Sequence, residues 1–292
     1  MKILVTGANG QLGNEMKRIS RENPNGNEYV LTDINELDIT QLNQIRHFIT
    51  QHHIEAIVNC AAYTNVDRAE DDEALADLIN RQAVENLALA AREQNALLIH
   101  ISTDYVFGGH SNTPFGEDAP TNPLGVYGRT KLAGEQAIQQ SGCRHIIIRT
   151  AWLYSIHGNN FVKTMRRLMA ERDHLNVVFD QVGTPTYAGD LADAIAHILS
   201  SPVSSAHEGI YHYTNEGVCS WYDFAVAIAE LSGLSCSIHP CHSNEFPCKV
   251  ERPSFSVLDK AKIRNNFSLT IPYWRHSLSS CISQLNNIAT VQ

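Results

Sequence analysis

The stretch Lys2-Ile-Leu-Val-Thr-Gly-Ala-Asn-Gly-Gln-Leu-Gly13 decides the fold of this chain. Its apolar start predicts a strand, its three glycines predict a tight turn, and Leu12, Met16 and Ile19 continue at helical spacing. This is the layout that binds a dinucleotide, because glycines let backbone N–H groups approach a pyrophosphate and the helix N-terminus adds its dipole. The spacing is G-x-x-G-x-x-G rather than G-x-G-x-x-G, so an ordinary strand-to-helix turn is the competing interpretation.

A second predicted strand, Tyr29–Thr32, ends at Asp33, about 20 residues beyond the turn. An acid at this place can accept a hydrogen bond from the 2′-hydroxyl of an adenosine ribose, and it would repel the 2′-phosphate of NADPH. Asp33 therefore favours tolerance of NADH. The competing interpretation is an aspartate in a loop that faces water.

Strands and helices alternate as far as Thr150, which predicts an α/β fold with a doubly wound, parallel, Rossmann-like sheet. Beyond that point the pattern changes, and we expect a smaller C-terminal substrate lobe. The predicted division is a dinucleotide-binding domain over 1–151, with a returning segment at about 188–215, and a substrate-binding lobe built from 152–187 and 216–292.

A candidate catalytic centre follows the predicted strand that starts at Leu97. Thr103 ends this strand, and Tyr127 and Lys131 are four residues apart, so they share one face of a helix. An ammonium beside a phenol favours the phenolate and would lower the tyrosine pKa. A hydroxyl, a phenol and an ammonium can bind a carbonyl oxygen and protonate it, which is half of a carbonyl reduction. Tyr-x-x-x-Lys is a loose pattern, and unrelated structural residues are the alternative.

Composition excludes several other classes of protein. The net charge of −9 argues against a nucleic-acid partner, and no apolar run approaches the roughly 20 residues that span a bilayer. The seven cysteines are scattered and odd in number, which is typical of reduced thiols. Because the first residues predict a strand rather than a secretory leader, we expect a cytoplasmic protein with no membrane contact.

These motifs together resemble those of the extended short-chain dehydrogenase/reductases, and within that group the reductases of dTDP-4-dehydro sugars. The segments that carry the resemblance are spread along the chain: 6–13, 59–67, 102–107, 126–135, 149–154, 158–161, 180–186 and 252–256. The resemblance implies reduction of the C4 ketone of dTDP-4-dehydro-L-rhamnose to dTDP-L-rhamnose, with NADPH or NADH as hydride donor and the dTDP-sugar as substrate.

The resemblance also implies roles for single residues. Tyr127 would donate the proton, Lys131 would lower its pKa, and Thr103 would bind the carbonyl oxygen. The residues expected to hold the cofactor are Gly7, Asn9, Gly10, Gln11, Leu12, Gly13, Asp33, Asp38, Ile39, Ala61, Ala62, Tyr63, Tyr127 and Lys131. Those expected to hold the substrate are Thr103, Asp104, Trp152, Asn160 and Arg252. For Trp152 the alternative is core packing, and for Arg252 it is a surface position before a proline turn.

Some members of this group bind Mg²⁺ at a contact within a homodimer. The matching carboxylates here are Glu15 and Asp190, for which ordinary helix-end acids near water are the favoured interpretation. Binding of Mg²⁺ and formation of a homodimer both stay open on the sequence. The segment 236–248 departs from the group. It contains three cysteines and two histidines without a C-x-x-C pair, and we expect a variable loop in preference to a zinc site.

Two other functions stay open on the sequence. A sugar-nucleotide epimerase or dehydratase of the same fold would share the glycine-rich turn and the Tyr127–Lys131 pair. A non-catalytic regulatory subunit could also share the fold, since fold does not determine function. The intact set of Thr103, Tyr127 and Lys131 argues for catalysis.

Overall fold

The computed structural model describes residues 1–23, 25–201, 203, 205–246 and 248–291. Its strands are β1 (Lys2–Thr6), β2 (Glu28–Leu31), β3 (Ala56–Asn59), β4 (Leu97–Thr103), β5 (His145–Thr150), β6 (Leu153–Tyr154), β7 (His174–Val178), β8 (Val182–Gly183), β9 (Thr186–Tyr187), β10 (Gly209–His212), β11 (Cys219–Ser220) and β12 (Ser237–Cys241). Its α-helices are α1 (Gln11–Glu22), α2 (Leu42–His52), α3 (Val66–Ala69), α4 (Glu73–Asp77), α5 (Ala83–Glu93), α6 (Val126–Ser141), α7 (Phe161–Glu171), α8 (Ala188–Ser200), α9 (Trp221–Ser232), α10 (Ala261–Phe267) and α11 (Trp274–Val291).

Six strands form the central sheet in the order β10-β5-β4-β3-β1-β2, and every neighbouring pair is parallel. One face of the sheet packs against α1 and α8 and the other against α2, α5 and α6. The strands are buried on both faces, which explains their nearly continuous apolar sequences. The predicted α/β, doubly wound, Rossmann-like sheet is confirmed. The carboxyl ends of β1, β3 and β4 lie side by side at the edge where such sheets bind ligands.

Helix boundaries differ from the sequence pattern at two places. The apolar positions Leu42, Ile45 and Ile49 predict a helix that opens at Leu37–Thr40. In the structure it begins at Leu42, because the Asp38 carboxylate accepts hydrogen bonds from Thr40 in a local turn. The sequence pattern also predicts one long helix between Asp71 and about Gln94. The structure has α4 and α5 there, joined by a π-helical turn, Leu78–Gln82. Apolar periodicity does not distinguish the two helical forms over one turn.

The second apolar cluster lies between α7, α9 and α11. There β7 pairs in parallel with β12, so part of the segment 236–248 is a strand rather than a variable loop. Pro240 obscures this strand in the sequence, since proline is accepted only at sheet edges, and this sheet has two strands. Ser220 caps α9 in a capping box with Asp223.

Segments from the second half of the chain also complete the central sheet. β10 pairs with β5, and α8 packs on α1. The division at residues 151, 188 and 215 stays a prediction. Within the described part of the chain, no helix is long and apolar enough to cross a membrane.

Candidate active site

The carboxyl end of β4 carries two adjacent polar residues, Thr103 and Asp104. The Thr103 hydroxyl donates to Asp104 Oδ1 at 3.0 Å, and Thr103 Oγ1 accepts from the Tyr105 amide at 3.2 Å. Asp104 Oδ2 is buried and has no hydrogen-bond partner among the described residues. Burial raises the pKa of Asp104 to about 7, with the hydrogen bond from Thr103 acting in the opposite direction. Such an unpartnered carboxyl oxygen is a site for a ligand hydroxyl.

Tyr127 lies in the first turn of α6, beside Tyr105, whose ring it meets edge to face at 5.5 Å. Burial raises the pKa of Tyr127 above its ordinary value, a hydrogen bond with Thr103 lowers it, and Asp104 raises it. The direction is opposite to the lowering by Lys131 that the sequence predicted, because loss of solvation outweighs the other effects. Tyr127 is therefore a neutral phenol at working pH, which is the form of a proton donor.

Lys131 follows one turn later and is buried. Its Nζ donates to the Ile101 carbonyl at 2.6 Å and lies 3.3 Å from His100 Nε2. Burial lowers the pKa of Lys131 to about 8, and Glu135 acts in the opposite direction. Lys131 is thus held against β4 by its contacts with Ile101 and His100.

The glycine-rich turn between β1 and α1 is packed too closely for side chains. Gly7 has φ of +64°, and a Cβ there would lie 2.6 Å from the Ala61 nitrogen at the end of β3. A Cβ on Gly13 would lie 2.2 Å from the Gly7 carbonyl oxygen. Gly10 precedes α1 and offers no side-chain cap, so the first amides of this helix are free to receive an anion. Leu12, predicted to touch the cofactor, has its side chain in the core.

Asp33 lies directly above this turn. Its Oδ2 accepts from the Asn9 amide and its Oδ1 from the Ile34 amide, both at 2.9 Å. Lys17 donates to Asn9 Oδ1 at 2.7 Å, which brings one positive charge to the same turn. Asp33 is therefore a structured residue of the turn and not a free loop aspartate. Asp38 lies farther along the loop and is bound to Thr40.

Ala61, Ala62 and Tyr63 follow β3 at the same edge, and Asn80 holds them in place. Asn80 is buried in the π-helical turn, where its Oδ1 accepts from the Tyr63 amide at 2.9 Å and its Nδ2 donates to the Tyr63 carbonyl at 3.0 Å. Nδ2 also contacts Thr130 Oγ1 on α6 at 3.2 Å. The Tyr63 hydroxyl is buried without a partner among the described residues. Asn80 was not predicted, because a helical asparagine has no distinctive sequence signal.

Trp152 stacks on Trp221 with ring centroids 3.6 Å apart and planes 11° apart. Its backbone has φ of +50°, which is uncommon for a bulky residue and typical of strained functional positions. Trp221 and Phe161 line a cavity of about 270 Å³ that also includes Tyr105 and Arg252. The cavity therefore joins the predicted substrate lobe to the end of β4. A larger cavity of about 450 Å³ adjoins it and contains none of the predicted site residues.

Arg252 and Asn160 occupy different kinds of position. Arg252 donates to the Tyr105 hydroxyl at 2.9 Å and to Asp67 Oδ2 at 2.6 Å, so it is a cavity residue rather than a surface residue before a turn. Asn160 caps α7 through its Oδ1, and its Nδ2 donates to Gln11 Oε1 at 2.9 Å. Asn160 thus links the start of α7 to the glycine-rich turn.

A buried ion pair lies behind the catalytic residues. Arg149 on β5 donates to both carboxylate oxygens of Glu135 on α6, with Nε–Oε1 of 2.9 Å and Nη2–Oε2 of 2.7 Å. Ser102 on β4 donates to the same carboxylate. Arg149 also lies over the Phe107 ring, 5.1 Å from its centroid. This pair fixes α6 against β4 and β5, and the sequence did not reveal it because its two charges sit in apolar patterns.

Neither candidate metal carboxylate is free. Glu15 is buried and bound to Ser155 and Arg18, and Asp190 accepts from Asn215 at 2.6 Å and from Ser277 at 2.5 Å. Over the described ranges no group of three or more His, Cys, Asp or Glu side chains could hold a metal ion, and this includes the cysteines and histidines of 236–248. Mg²⁺ binding therefore has no support here.

Comparison with known proteins agrees with this geometry. The family model described as the RmlD substrate binding domain matches residues 1–287. The chain is 38% identical over 288 residues to dTDP-4-dehydrorhamnose reductase of Aggregatibacter actinomycetemcomitans, covering 96% of this chain and 97% of that protein.

Two crystal structures are similar over nearly the whole chain. The dTDP-4-dehydrorhamnose reductase of Clostridium acetobutylicum superposes with a TM-score of 0.93 at 41% identity, covering 98% of this chain and 100% of the other. The same enzyme of Bacillus anthracis, in complex with NADP, superposes with a TM-score of 0.91 at 37% identity, covering 97% and 99%.

Proposed function

Since the chain belongs to the RmlD substrate binding domain family, we propose that it reduces the C4 ketone of dTDP-4-dehydro-L-rhamnose to dTDP-L-rhamnose, with NADPH or NADH as reductant. The observation that carries the proposal is the meeting of Thr103, Tyr127 and Lys131 at the edge of the sheet that also carries the glycine-rich turn. The chain is an oxidoreductase that uses a nicotinamide cofactor.

The residues of the turn fit such a cofactor. The close packing at Gly7 and Gly13 leaves backbone amides exposed at the start of α1, where a pyrophosphate would be held. Asp33 is placed for a ribose hydroxyl, and the buried Tyr63 hydroxyl without a described partner is available to a ligand. When bound, the reduced nicotinamide supplies the hydride.

Three side chains would then handle the carbonyl oxygen. Thr103 donates a hydrogen bond where negative charge grows, and Tyr127 donates its phenolic proton to the forming alcohol. Asp104, with one free buried oxygen, holds a neighbouring hydroxyl of the sugar. Burial keeps Tyr127 protonated until the alkoxide forms, because the alkoxide is a much stronger base than the phenolate.

The nucleotide portion of the substrate would lie in the cavity lined by Trp221, Phe161 and Arg252. Aromatic rings suit a base, and a guanidinium suits paired phosphate oxygens. Asn160 serves there by supporting Gln11 rather than by contacting the diphosphate. All seven cysteines are free thiols, which supports a reducing compartment such as the cytoplasm. A homodimer stays a prediction.

The test is oxidation of NADPH and NADH with dTDP-4-dehydro-L-rhamnose, followed by identification of the product. We expect Tyr127→Phe to lower kcat by about 10²–10⁴. Tyr213→Phe is the matched control, since it removes the hydroxyl of a buried tyrosine outside the site and should leave kcat unchanged. Wild-type protein that binds the cofactor yet turns over neither mixture would overturn the proposal, and cofactor retained through purification would favour an epimerase.

A further inference from the structure

A chain of buried polar side chains runs beneath the catalytic edge from β1 to α6. The Thr6 hydroxyl donates to Asn59 Oδ1 at 2.7 Å, Asn59 Nδ2 lies 3.0 Å from His100 Nδ1, and His100 Nε2 lies 3.3 Å from Lys131 Nζ. All four residues are buried. Thr6, Asn59 and His100 have no part in the chemistry described above, although the chain ends on a catalytic side chain.

The orientation of the Asn59 amide is determined by its surroundings. The Ala61 backbone N–H, which can only donate, points at Asn59 Oδ1 at 3.1 Å, and the Thr6 hydroxyl points at the same atom. An amide rotated by 180° would place its NH₂ group against the Ala61 N–H. The oxygen therefore faces Ala61, and the NH₂ group of Asn59 faces His100.

This orientation determines the tautomer of His100. Because Asn59 Nδ2 can only donate, His100 Nδ1 must accept, so it carries no proton. A doubly protonated imidazolium is excluded for the same reason. The single proton of the neutral ring is then on Nε2, and this N–H is directed at Lys131 Nζ.

An N–H donor directed at Nζ disfavours an ammonium there. A neutral amine can donate to the Ile101 carbonyl and accept from His100 Nε2 at the same time, whereas an ammonium would set two N–H groups against each other. We propose that His100, held by Asn59 as the Nε2–H tautomer, is a positioning residue that shifts Lys131 toward its neutral amine, so that Lys131 can release and regain a proton in each turnover.

The consequence for the reaction rests on the proposed function. When Tyr127 gives its proton to the product oxygen, the phenolic O–H bond breaks and the alcohol O–H bond forms. The Lys131 ammonium then donates a proton to the Tyr127 phenolate. One ammonium N–H bond breaks and the phenolic O–H bond forms again. The amine left behind accepts the hydrogen bond of His100 and later takes a proton from water. A group that carries protons works best when its pKa is near the working pH, and the pKa of Lys131 is lowered to about 8.

Other ionisable groups near Lys131 do not oppose this arrangement strongly. Glu135 on α6 raises the pKa of Lys131, but its carboxylate is neutralised by Arg149 on β5. Tyr127 and Asp104 are both held toward their uncharged forms by burial. His100 on β4 is the group in direct contact with Nζ.

The first test is made on the wild-type protein without substrate, so its outcome is independent of the proposed function. In protein labelled with ¹⁵N-histidine and with lysine ¹³C at Cε, the His100 ring should show Nε2–H with unprotonated Nδ1. The Cε signal of Lys131 should titrate below the ordinary lysine range. A His100 ring protonated on Nδ1, or a Lys131 that titrates at the ordinary lysine pKa, would overturn the inference.

The second test reverses the tautomer. In Asn59→Asp both side-chain positions accept, so His100 must donate from Nδ1, and Nε2 becomes an acceptor that stabilises the ammonium. We expect the pKa of Lys131, and with it the alkaline limb of kcat, to rise by about one unit or more. The new charge alone could raise the pKa, so the same change is made in His100→Phe, where no tautomer exists. An equal rise in both backgrounds would show that charge alone acts and would contradict the role of His100.

Discussion

Trp152 lies flat on Trp221, which supports one wall of the cavity that also contains Tyr105 and Arg252. The backbone of Trp152 has φ of +50°, a conformation that costs on the order of 1–3 kcal/mol and persists only where packing imposes it. The stack is such packing, because it covers one face of the Trp152 indole at the point where the chain leaves β5.

Loss of this stack should weaken substrate binding. Trp221→Leu removes an aromatic contact worth about 0.5–1.5 kcal/mol beyond its buried area, so we expect KM for the dTDP-sugar to rise about threefold to tenfold. Trp221→Phe keeps a ring against Trp152 and should retain most of the affinity. Steady-state kinetics give KM for both variants. An unchanged KM in Trp221→Leu would show that the stack does not contribute to substrate binding.

Asp33 should set the choice between NADPH and NADH. Asp33→Asn removes a charge that would repel a 2′-phosphate, while one oxygen can still accept from the Asn9 amide. We expect the ratio of kcat/KM for NADPH over NADH to rise by about tenfold, or about 1.4 kcal/mol. Glu36→Gln is the control, because Glu36 binds the Asp33 amide and carries the same charge nearby. An equal change of this ratio in both variants would mean that the total negative charge near the turn, and not the position of Asp33, sets the cofactor preference.

Asp104 predicts a pH-dependent stability. Its pKa is about 7 in the folded protein and near 4 when unfolded, so the folded state binds more protons between these values and stability falls as pH rises through this window. Asp104→Asn has no such group. We expect the variant to gain roughly 2–4 kcal/mol relative to wild type at pH 8 and little at pH 4. Urea unfolding at the two pH values measures this, and an equal difference at both would refute the assignment.

The Glu135–Arg149 pair should tolerate joint replacement better than the loss of one partner. Arg149→Met leaves a buried carboxylate and should cost about 3–5 kcal/mol in unfolding free energy. Adding Glu135→Leu should recover part of that cost. The exposed pair Arg46–Glu93 is the control, where Arg46→Ala should leave the free energy of unfolding almost unchanged because water screens the pair. Thermal and urea unfolding of the three variants and the wild type give the comparison.

The glycine-rich turn and the Tyr127–Lys131 pair could be predicted from the sequence, because the sequence signals for both are local. Gly7, Gly13 and the Tyr127–Lys131 spacing depend on backbone geometry within a few residues, and the structure brings them to one edge of the sheet. The chain from Thr6 to His100 joins three strands that are far apart in sequence. His100 lies in a run of aliphatic residues, so periodicity marks it only as a buried strand position.

The predicted direction of the Tyr127 pKa shift was wrong, because burial has the larger effect. A lysine four residues from a tyrosine suggests a lowered phenol pKa, yet the phenol pKa is raised because Tyr127 is buried. The direction of a pKa shift depends on how much solvent is lost, and spacing alone does not contain that quantity.

The π-helical turn at Leu78–Gln82 carries one residue more than an α-helical turn would need, since the Ala83 amide bonds back to Leu78. Deleting that residue would give a more regular helix. It would also rotate α4 by about 100° relative to α5 and withdraw Asn80 from Tyr63 and Thr130. The number of residues in this turn is therefore constrained by the contacts of Asn80 with Tyr63 and Thr130. Helix propensity alone would favour the shorter, regular helix. Insertions and deletions at this turn should nevertheless not be tolerated.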